Sequence, residues 1–146
     1  GEPFLIEYNV RMGDPECQTI LPRLKTDFGK IIEACLKKKL NDINIEWENK
    51  KSLCVVLCAR GYPDKYDKGM ELKNIHKTIT KKDEYIFHAG TKKLRNKVIS
   101  DGGRVLNFVV KSNEFKTCRD QAIRLIKEID WNSGFFRNDI GHKVIE

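Results

Sequence analysis

The sequence predicts an α+β fold in two parts: a leading strand with two helices, then a small domain of mainly antiparallel sheet packed with a helix. Phe4 to Arg11 alternates apolar and polar residues, which is the period of a half-buried strand. Leu53 to Ala59 is a continuous apolar run of strand length, so we expect both of its faces to be covered. An apolar stripe at helical spacing follows near the end, made of Phe115, Cys118, Ala122, Leu125, Ile126 and Ile129.

Two helices are expected after the leading strand. Asp14 followed by Pro15 supplies an N-cap acceptor and a proline at the first helical position, so a short helix should run to about Leu24. Thr26 or Asp27 can cap the second helix. Its apolar residues are Phe28, Ile31, Ile32, Cys35 and Leu36, and it ends in the cationic turn Lys37 to Lys39. The apolar face of this helix needs a partner.

A change from helical to strand-like pattern places the domain boundary near residue 46, which gives domains 1–45 and 46–146. Tyr85 to His88 and Val98 to Ser100 are predicted as short strands. The turn signal Asp101-Gly102 should join the second of them to a strand at Arg104 to Val110 as a hairpin. The second domain is therefore expected to be largely antiparallel.

The last helix and the tail complete the prediction. Ser112 or Asn113 can cap the helix that carries the apolar stripe. The residues from Trp131 to Ile145 are too apolar for a loose tail, so we expect them to pack back onto the domain.

Composition indicates a water-soluble globular protein. The 146 residues are 40% hydrophobic and 34% charged, and no apolar run approaches the roughly 20 residues of a membrane helix. The first residues lack an initiating Met and the basic and apolar regions of a signal peptide, so we expect a truncated or processed chain. The five cysteines are an odd number and include no CxxC pair, which argues against disulfides and zinc and favours the cytoplasm.

The net charge of +7 would suit nucleic acid, an anionic surface or phosphorylated substrates. The basic runs Lys37 to Lys39 and Lys92-Lys93 have no interleaved aromatic residues and match no nucleic-acid motif, so we interpret them as solvated faces. A small basic RNA-binding module remains the alternative function.

The polar face of the leading strand carries a row of three different groups. Glu7, Asn9 and Arg11 present a carboxylate, a carboxamide and a guanidinium about 6.5–7 Å apart. Magnesium takes one or two oxygen ligands from protein in nucleotide sites, and a guanidinium can bind a phosphate or carboxylate. Periodicity alone favours a solvated strand face over a site.

The run EYNVRMGDPECQ, from Glu7 to Gln18, resembles the signature of the phosphoribosylamine–glycine ligases, a family of ATP-grasp enzymes. It departs at Tyr8 and Met12, where Phe is typical of the family. Further runs resemble the C-terminal domain of the same family: Val55 to Gly69, Phe87 to Lys92, Asp101 to Leu106, and Phe136 to Gly141.

The resemblance implies the last strand and helices of an ATP-grasp domain over 1–45 and a C-terminal domain over 46–146. It implies ATP-dependent ligation of glycine to 5-phosphoribosylamine, with Glu7 and Asn9 as ligands of Mg²⁺ or Mn²⁺ and Arg11 as a catalytic and substrate-binding residue. Asp14 would contact substrate, although a helix cap is the favoured explanation of this residue. The implied partners are ATP, glycine, 5-phosphoribosylamine and missing N-terminal domains of the same chain, with no nucleic acid and no membrane.

Beside the RNA-binding module, a second alternative is an ATP-grasp ligase with another acceptor, because related ligases share a Glu-x-Asn metal strand and differ in acceptor. The GDPE run and the C-terminal runs disfavour it. The scattered residues His76, His88 and His142 are interpreted as structural.

Overall fold

An antiparallel sheet lies at the centre of the fold in a computed structural model that describes residues 1–78 and 80–145. Within these residues the sheet has four strands in the order β2-β5-β1-β6. The strands β1 to β6 span Lys51–Ala59, Glu84–His88, Thr91–Leu94, Lys97–Ser100, Arg104–Ser112 and Gly134–Phe135. The helices α1 to α4 span Glu16–Ile20, Phe28–Leu36, Phe115–Glu128 and His142–Ile145. The predicted α+β class and the mainly antiparallel sheet are confirmed.

One face of the sheet forms the core with α3. The central strands β1 and β5 place Leu53 opposite Val110 and Val55 opposite Phe108, and all four side chains are buried. The helix covers them with the predicted stripe, of which Cys118, Ala122, Leu125, Ile126 and Ile129 are buried. Burial contributes about 1.5–3 kcal/mol for each large apolar side chain, so this face stabilises most of the fold.

The opposite face of the sheet is covered in part by α1, which contacts both β1 and β5. A 3₁₀ turn, Leu21–Arg23, continues α1, so the predicted first helix exists but is divided. Lys111 of β5 donates from Nζ to the carbonyl oxygen of Pro22 at 2.7 Å. Residues on both sides of the predicted boundary at 46 are therefore in direct contact.

The predicted hairpin between Val98–Ser100 and Arg104–Val110 is wrong. β4 pairs with β3 in a separate two-stranded sheet, whereas β5 pairs with β1 and β2. Gly102 instead crosses Gly90: a Cβ on Gly90 would lie 2.6 Å from Gly102 Cα. The glycines serve this close approach of two backbone segments rather than a hairpin turn.

The leading strand predicted over Phe4 to Arg11 is also wrong for this chain. Residues 4–11, all described, form no strand, and the apolar side chains of Phe4, Ile6, Tyr8 and Val10 are 83–103% exposed. A strand needs a neighbour for its backbone hydrogen bonds, and within the described residues this segment pairs with none.

The helix caps follow the prediction at one of three positions. Asp27 accepts from the Lys30 amide at 3.0 Å and caps α2, as predicted. α1 begins at Glu16 with Pro15 at its N-cap, so the predicted Asp14 cap is wrong. The N-cap of α3 is Glu114 rather than Ser112 or Asn113.

Helix α2 leaves its apolar side chains largely uncovered. Ala34 is buried, whereas Phe28 and Ile32 are partly exposed to solvent and Leu36 is 81% exposed. The expected partner of this helix is therefore not supplied by the described residues.

The end of the chain packs back, as predicted. Trp131 is buried, β6 pairs with β1, and Phe136 and Ile140 pack against the core. All five cysteines are free thiols, with Cys58 and Cys118 buried. Among the described residues, no helix has the length and apolar character needed to cross a membrane.

Candidate functional site

The side chains of Glu7, Asn9 and Arg11 lie on the same side of the leading segment and form a hydrogen-bonded row. Asn9 Nδ2 donates to Glu7 Oε1 at 2.8 Å, and Arg11 Nη1 donates to Asn9 Oδ1 at 2.8 Å. Arg11 Nη1 also donates to the carbonyl oxygen of Met12 at 2.9 Å. The predicted order of carboxylate, carboxamide and guanidinium is thus present in space, although the segment is exposed and not part of a sheet.

The row offers hard oxygen donors to a divalent cation. Glu7 supplies a carboxylate and Asn9 a carboxamide oxygen, which is the donor chemistry that Mg²⁺ and Mn²⁺ prefer. Among the described residues, no group of three or more His, Cys, Asp or Glu side chains could hold a metal ion. Glu7 Oε1 accepts from Asn9 and Asn9 Oδ1 accepts from Arg11, so the two residues match a cation site in donor chemistry only. Their role as metal ligands stays a prediction.

Asp14 is held against the start of β5. Arg104 Nη1 donates to the Asp14 carbonyl oxygen at 2.6 Å, and Arg104 Nε lies 3.4 Å from Asp14 Oδ2. Gln18 Nε2 donates to Asp14 Oδ1 at 3.0 Å. These contacts occupy both carboxylate oxygens of Asp14, whose predicted role in substrate binding stays a prediction.

The turn between the row and α1 is compact. The carboxylate of Glu16 folds back over Gly13, where a Cβ would lie 1.9 Å from Glu16 Oε2. The Cys17 amide donates to the Gly13 carbonyl oxygen at 2.9 Å. A Cβ at position 13 would move only the exposed Glu16 carboxylate, so this contact alone does not require glycine.

Sequence reasoning missed Arg104 as a residue of this region. The sequence places Asp101-Gly102 in a turn and Arg104 at the start of a strand, and the contact to Asp14 spans 90 residues of chain. A non-local contact of this kind leaves no periodic pattern in the sequence. The signal available was the run DGGRVL itself, where an arginine follows two glycines at the start of a buried strand.

An apolar cleft of about 360 Å³ lies beside this turn, on the sheet face that α1 partly covers. Its lining includes Pro15, Cys54, Val56, Tyr62 and Phe136. Burial raises the pKa of Cys54 to about 12, the charge of Asp14 adds to the rise, and a hydrogen bond with Thr19 opposes it. The thiol is therefore protonated at neutral pH and unsuited to act as a nucleophile.

Two of the three histidines make local contacts. His88 Nδ1 lies 2.8 Å from Thr91 Oγ1, and His142 Nδ1 lies 2.9 Å from the carbonyl oxygen of Asp139. Both partners are three residues away along the chain, which agrees with the structural interpretation.

Residues 52–143 match the family model described as phosphoribosylglycinamide synthetase, C domain. The chain belongs to this family. The match includes α3, nearly all of β1 and all of β2 to β6, and so includes the strand β5 whose Arg104 holds the turn at Asp14. The resemblance noted for the second domain is thereby confirmed.

Curated relatives of the phosphoribosylglycinamide synthetase C-domain family extend the similarity through the leading segment. A phosphoribosylamine–glycine ligase of Fusobacterium nucleatum is 44% identical over 142 residues, which is 97% of this chain and 33% of the relative. The enzyme of the same name from Caldanaerobacter subterraneus is 42% identical over 138 residues, 94% of this chain and 32% of the relative. This chain spans about a third of the length of these relatives.

A solved structure gives the same result for the fold. The crystal structure of phosphoribosylamine–glycine ligase from Thermotoga maritima superposes with a TM-score of 0.69 at 29% identity. The superposition covers 97% of this chain and 34% of that one. The α+β arrangement is therefore shared with a member of the same family.

Proposed function

We propose that this chain is the C-terminal part of a phosphoribosylamine–glycine ligase. The intact enzyme would use ATP to join glycine to 5-phosphoribosylamine, giving glycinamide ribonucleotide, ADP and phosphate in de novo purine biosynthesis. The observation that carries the proposal is the similarity over 97% of the chain to a ligase of this name. The ordered row of Glu7, Asn9 and Arg11 supports it from the geometry.

The reaction defines what the row would do. Glycine is activated by transfer of the γ-phosphoryl group of ATP to its carboxylate, and the amine of 5-phosphoribosylamine then displaces phosphate from that carbonyl carbon. Bound Mg²⁺ or Mn²⁺ would offset negative charge on the ATP phosphates. Glu7 and Asn9 would hold the cation through oxygen, and Arg11 would hold an anionic oxygen of the transferring phosphate or the substrate.

The arrangement of domains is part of the proposal. We assign 1–45 to the end of an ATP-grasp domain and 46–146 to the C-terminal domain, in a cytoplasmic enzyme. The family match begins at residue 52, and the uncovered apolar side chains of 4–10 and α2 lie in the leading part. N-terminal domains of the same parent chain would cover them and supply the remaining ATP contacts. Asp14 would lie at the edge of the substrate site.

The first experiment tests the isolated chain for activity. With ATP, magnesium, glycine and 5-phosphoribosylamine, the 146-residue chain should release no phosphate above background, because it spans about a third of the relatives. The full-length parent should release phosphate under the same conditions. Turnover by the isolated chain would contradict the proposal that it is one part of the site.

A second experiment tests the metal ligand. In the full-length parent, Glu7→Gln should lower kcat and raise the magnesium concentration needed for half-maximal rate, since it removes a charged oxygen donor. Glu2→Gln is the matched control, because Glu2 lies in the same exposed segment. Equal behaviour of the two variants would remove Glu7 from the ligand set.

A further inference from the structure

We propose that Arg104 is a positioning residue that fixes the turn at Asp14 and so sets the direction in which the row of Glu7, Asn9 and Arg11 leaves the sheet. The role in catalysis rests on the proposed function, whereas the structural part stands on the contacts of Arg104 alone. Neither residue of the pair needs to touch substrate for this role.

Arg104 contacts Asp14 at two points, the backbone carbonyl oxygen and the side-chain carboxylate. Its Nη1 donates to the carbonyl oxygen of Asp14 at 2.6 Å, while its Nε faces the Asp14 carboxylate at 3.4 Å. Gln18 holds the second carboxylate oxygen at 3.0 Å. A planar guanidinium bound to backbone and side chain of the same residue restricts orientation as well as distance.

The second argument is that the loop carrying Arg104 is itself fixed. The amides of Asp101 and Gly102 both donate to the carbonyl oxygen of Gly90, at 2.8 and 3.1 Å. The carbonyl oxygen of Gly103 accepts from the Ala59 amide at 2.7 Å. Since backbone hydrogen bonds hold the residues just before Arg104, its guanidinium projects from a rigid base.

The third argument separates positioning from stability. The side chains of Arg104 and Asp14 are 37% and 36% exposed, and ion pairs with this much solvent contact contribute little to folding. Asp14 is three residues from Arg11, a reach of at most about 11 Å of extended chain. A shift of the turn therefore moves the point from which the row leaves the sheet, and misplacement of a catalytic group by about 1 Å can cost about 100-fold in rate.

The structural test uses the 146-residue chain and hydrogen exchange measured by mass spectrometry. Arg104→Ala should speed exchange several-fold in residues 13–20, where the Cys17 amide donates to Gly13, with little change in melting temperature. Arg119→Ala is the control, because Arg119 lies on α3 at the opposite face of the sheet and pairs with the adjacent Asp120. Unchanged exchange in residues 13–20 would overturn the proposal.

The variant Arg104→Lys provides a second test in case Arg104→Ala does not fold. Arg104→Lys keeps the charge but cannot reproduce the fork that contacts both the carbonyl and the carboxylate of Asp14. It should also speed exchange in residues 13–20, by less than the alanine variant. Wild-type exchange rates in a folded lysine variant would show that charge alone holds the turn, which contradicts positioning by the guanidinium.

The kinetic test uses the full-length parent. Arg104→Ala should lower kcat by about 10- to 100-fold and raise the magnesium requirement. Asp14→Asn should lower kcat by less, and the double variant should be no worse than Arg104→Ala, because both act through one contact. A rise confined to the KM for 5-phosphoribosylamine would assign Arg104 to substrate binding and overturn the proposal. An inactive wild-type parent would contradict the proposed function, while hydrogen exchange would still decide the role of Arg104 in the turn.

Discussion

Lys111 Nζ lies 2.9 Å from Glu48 Oε2, and this contact joins the strand β5 to the segment that precedes the sheet. The same ammonium group donates to the carbonyl oxygen of Pro22 at 2.7 Å and lies 3.4 Å from Asp83 Oδ1. Burial works to lower the pKa of Lys111, but the interactions of its ammonium group with Glu48 and Tyr85 outweigh burial and raise the pKa. Lys111 is therefore a charged group buried between three chain segments.

Replacing Lys111 should destabilise the fold. Lys111→Met removes the charge while keeping much of the volume, and it leaves the Pro22 carbonyl and the Asp83 and Glu48 carboxylates short of a partner. Because the lysine side chain is 3% exposed, we expect a loss of about 2–3 kcal/mol in the free energy of unfolding, measured with urea. Lys93→Met, on exposed β3, is the control and should change it by less than about 0.5 kcal/mol. Equal losses of unfolding free energy in the two variants would contradict a role for Lys111 in joining β5 to the segment before the sheet.

Ionisation of Asp83 should make the free energy of unfolding depend on pH under acidic conditions. A hydrogen bond from Lys50, opposed by burial and reinforced by Lys111, lowers the pKa of Asp83 below its ordinary value of 3.8. A lowered pKa in the folded state gives stability that is present above pH 3.8 and lost as pH falls through the folded pKa. Asp83→Asn should therefore narrow the difference in unfolding free energy between pH 7 and pH 3. An unchanged difference would show that Asp83 does not contribute.

The sequence predicts an element correctly when its signal is local. Such a signal is an apolar pattern that repeats along the element, or a contact between residues a few positions apart. The stripe of α3 recurs every three or four residues, and the apolar run of β1 has strand length, so both were placed correctly. The Asp27 cap was also predictable, because its acceptor and the Lys30 amide are three residues apart.

The elements that were not predictable depend on partners distant in sequence. β4 and β5 are adjacent along the chain, yet β5 pairs with β1, about 50 residues earlier. Residues 4–11 have the alternation of a strand but find no pairing neighbour among the described residues. For the site, the row at 7, 9 and 11 followed from local spacing, whereas its anchor at Arg104 required the folded arrangement.

The cysteines should differ in reactivity. Burial raises the pKa of Cys54, Cys58 and Cys118, so their thiols are protonated and shielded, while Cys35 is exposed on α2. With iodoacetamide at pH 7.5, we expect peptide mass spectrometry to show Cys35 modified first and Cys54, Cys58 and Cys118 modified slowest. Modification of Cys54 as early as Cys35 would contradict the cover that α1 provides. Adding urea should remove the difference.

Deleting residues 1–12 should leave the stability of this chain almost unchanged. The side chains of Glu7, Asn9 and Arg11 bond within the segment, and its apolar side chains from Phe4 to Val10 are solvent-exposed. The expected change in unfolding free energy is below about 0.5 kcal/mol. Deleting residues 1–20 should cost more, because it also removes α1, which packs on β1 and β5. If the shorter deletion alone lowered stability by more than about 1 kcal/mol, the leading segment would have to pack on the domain, contrary to its exposure.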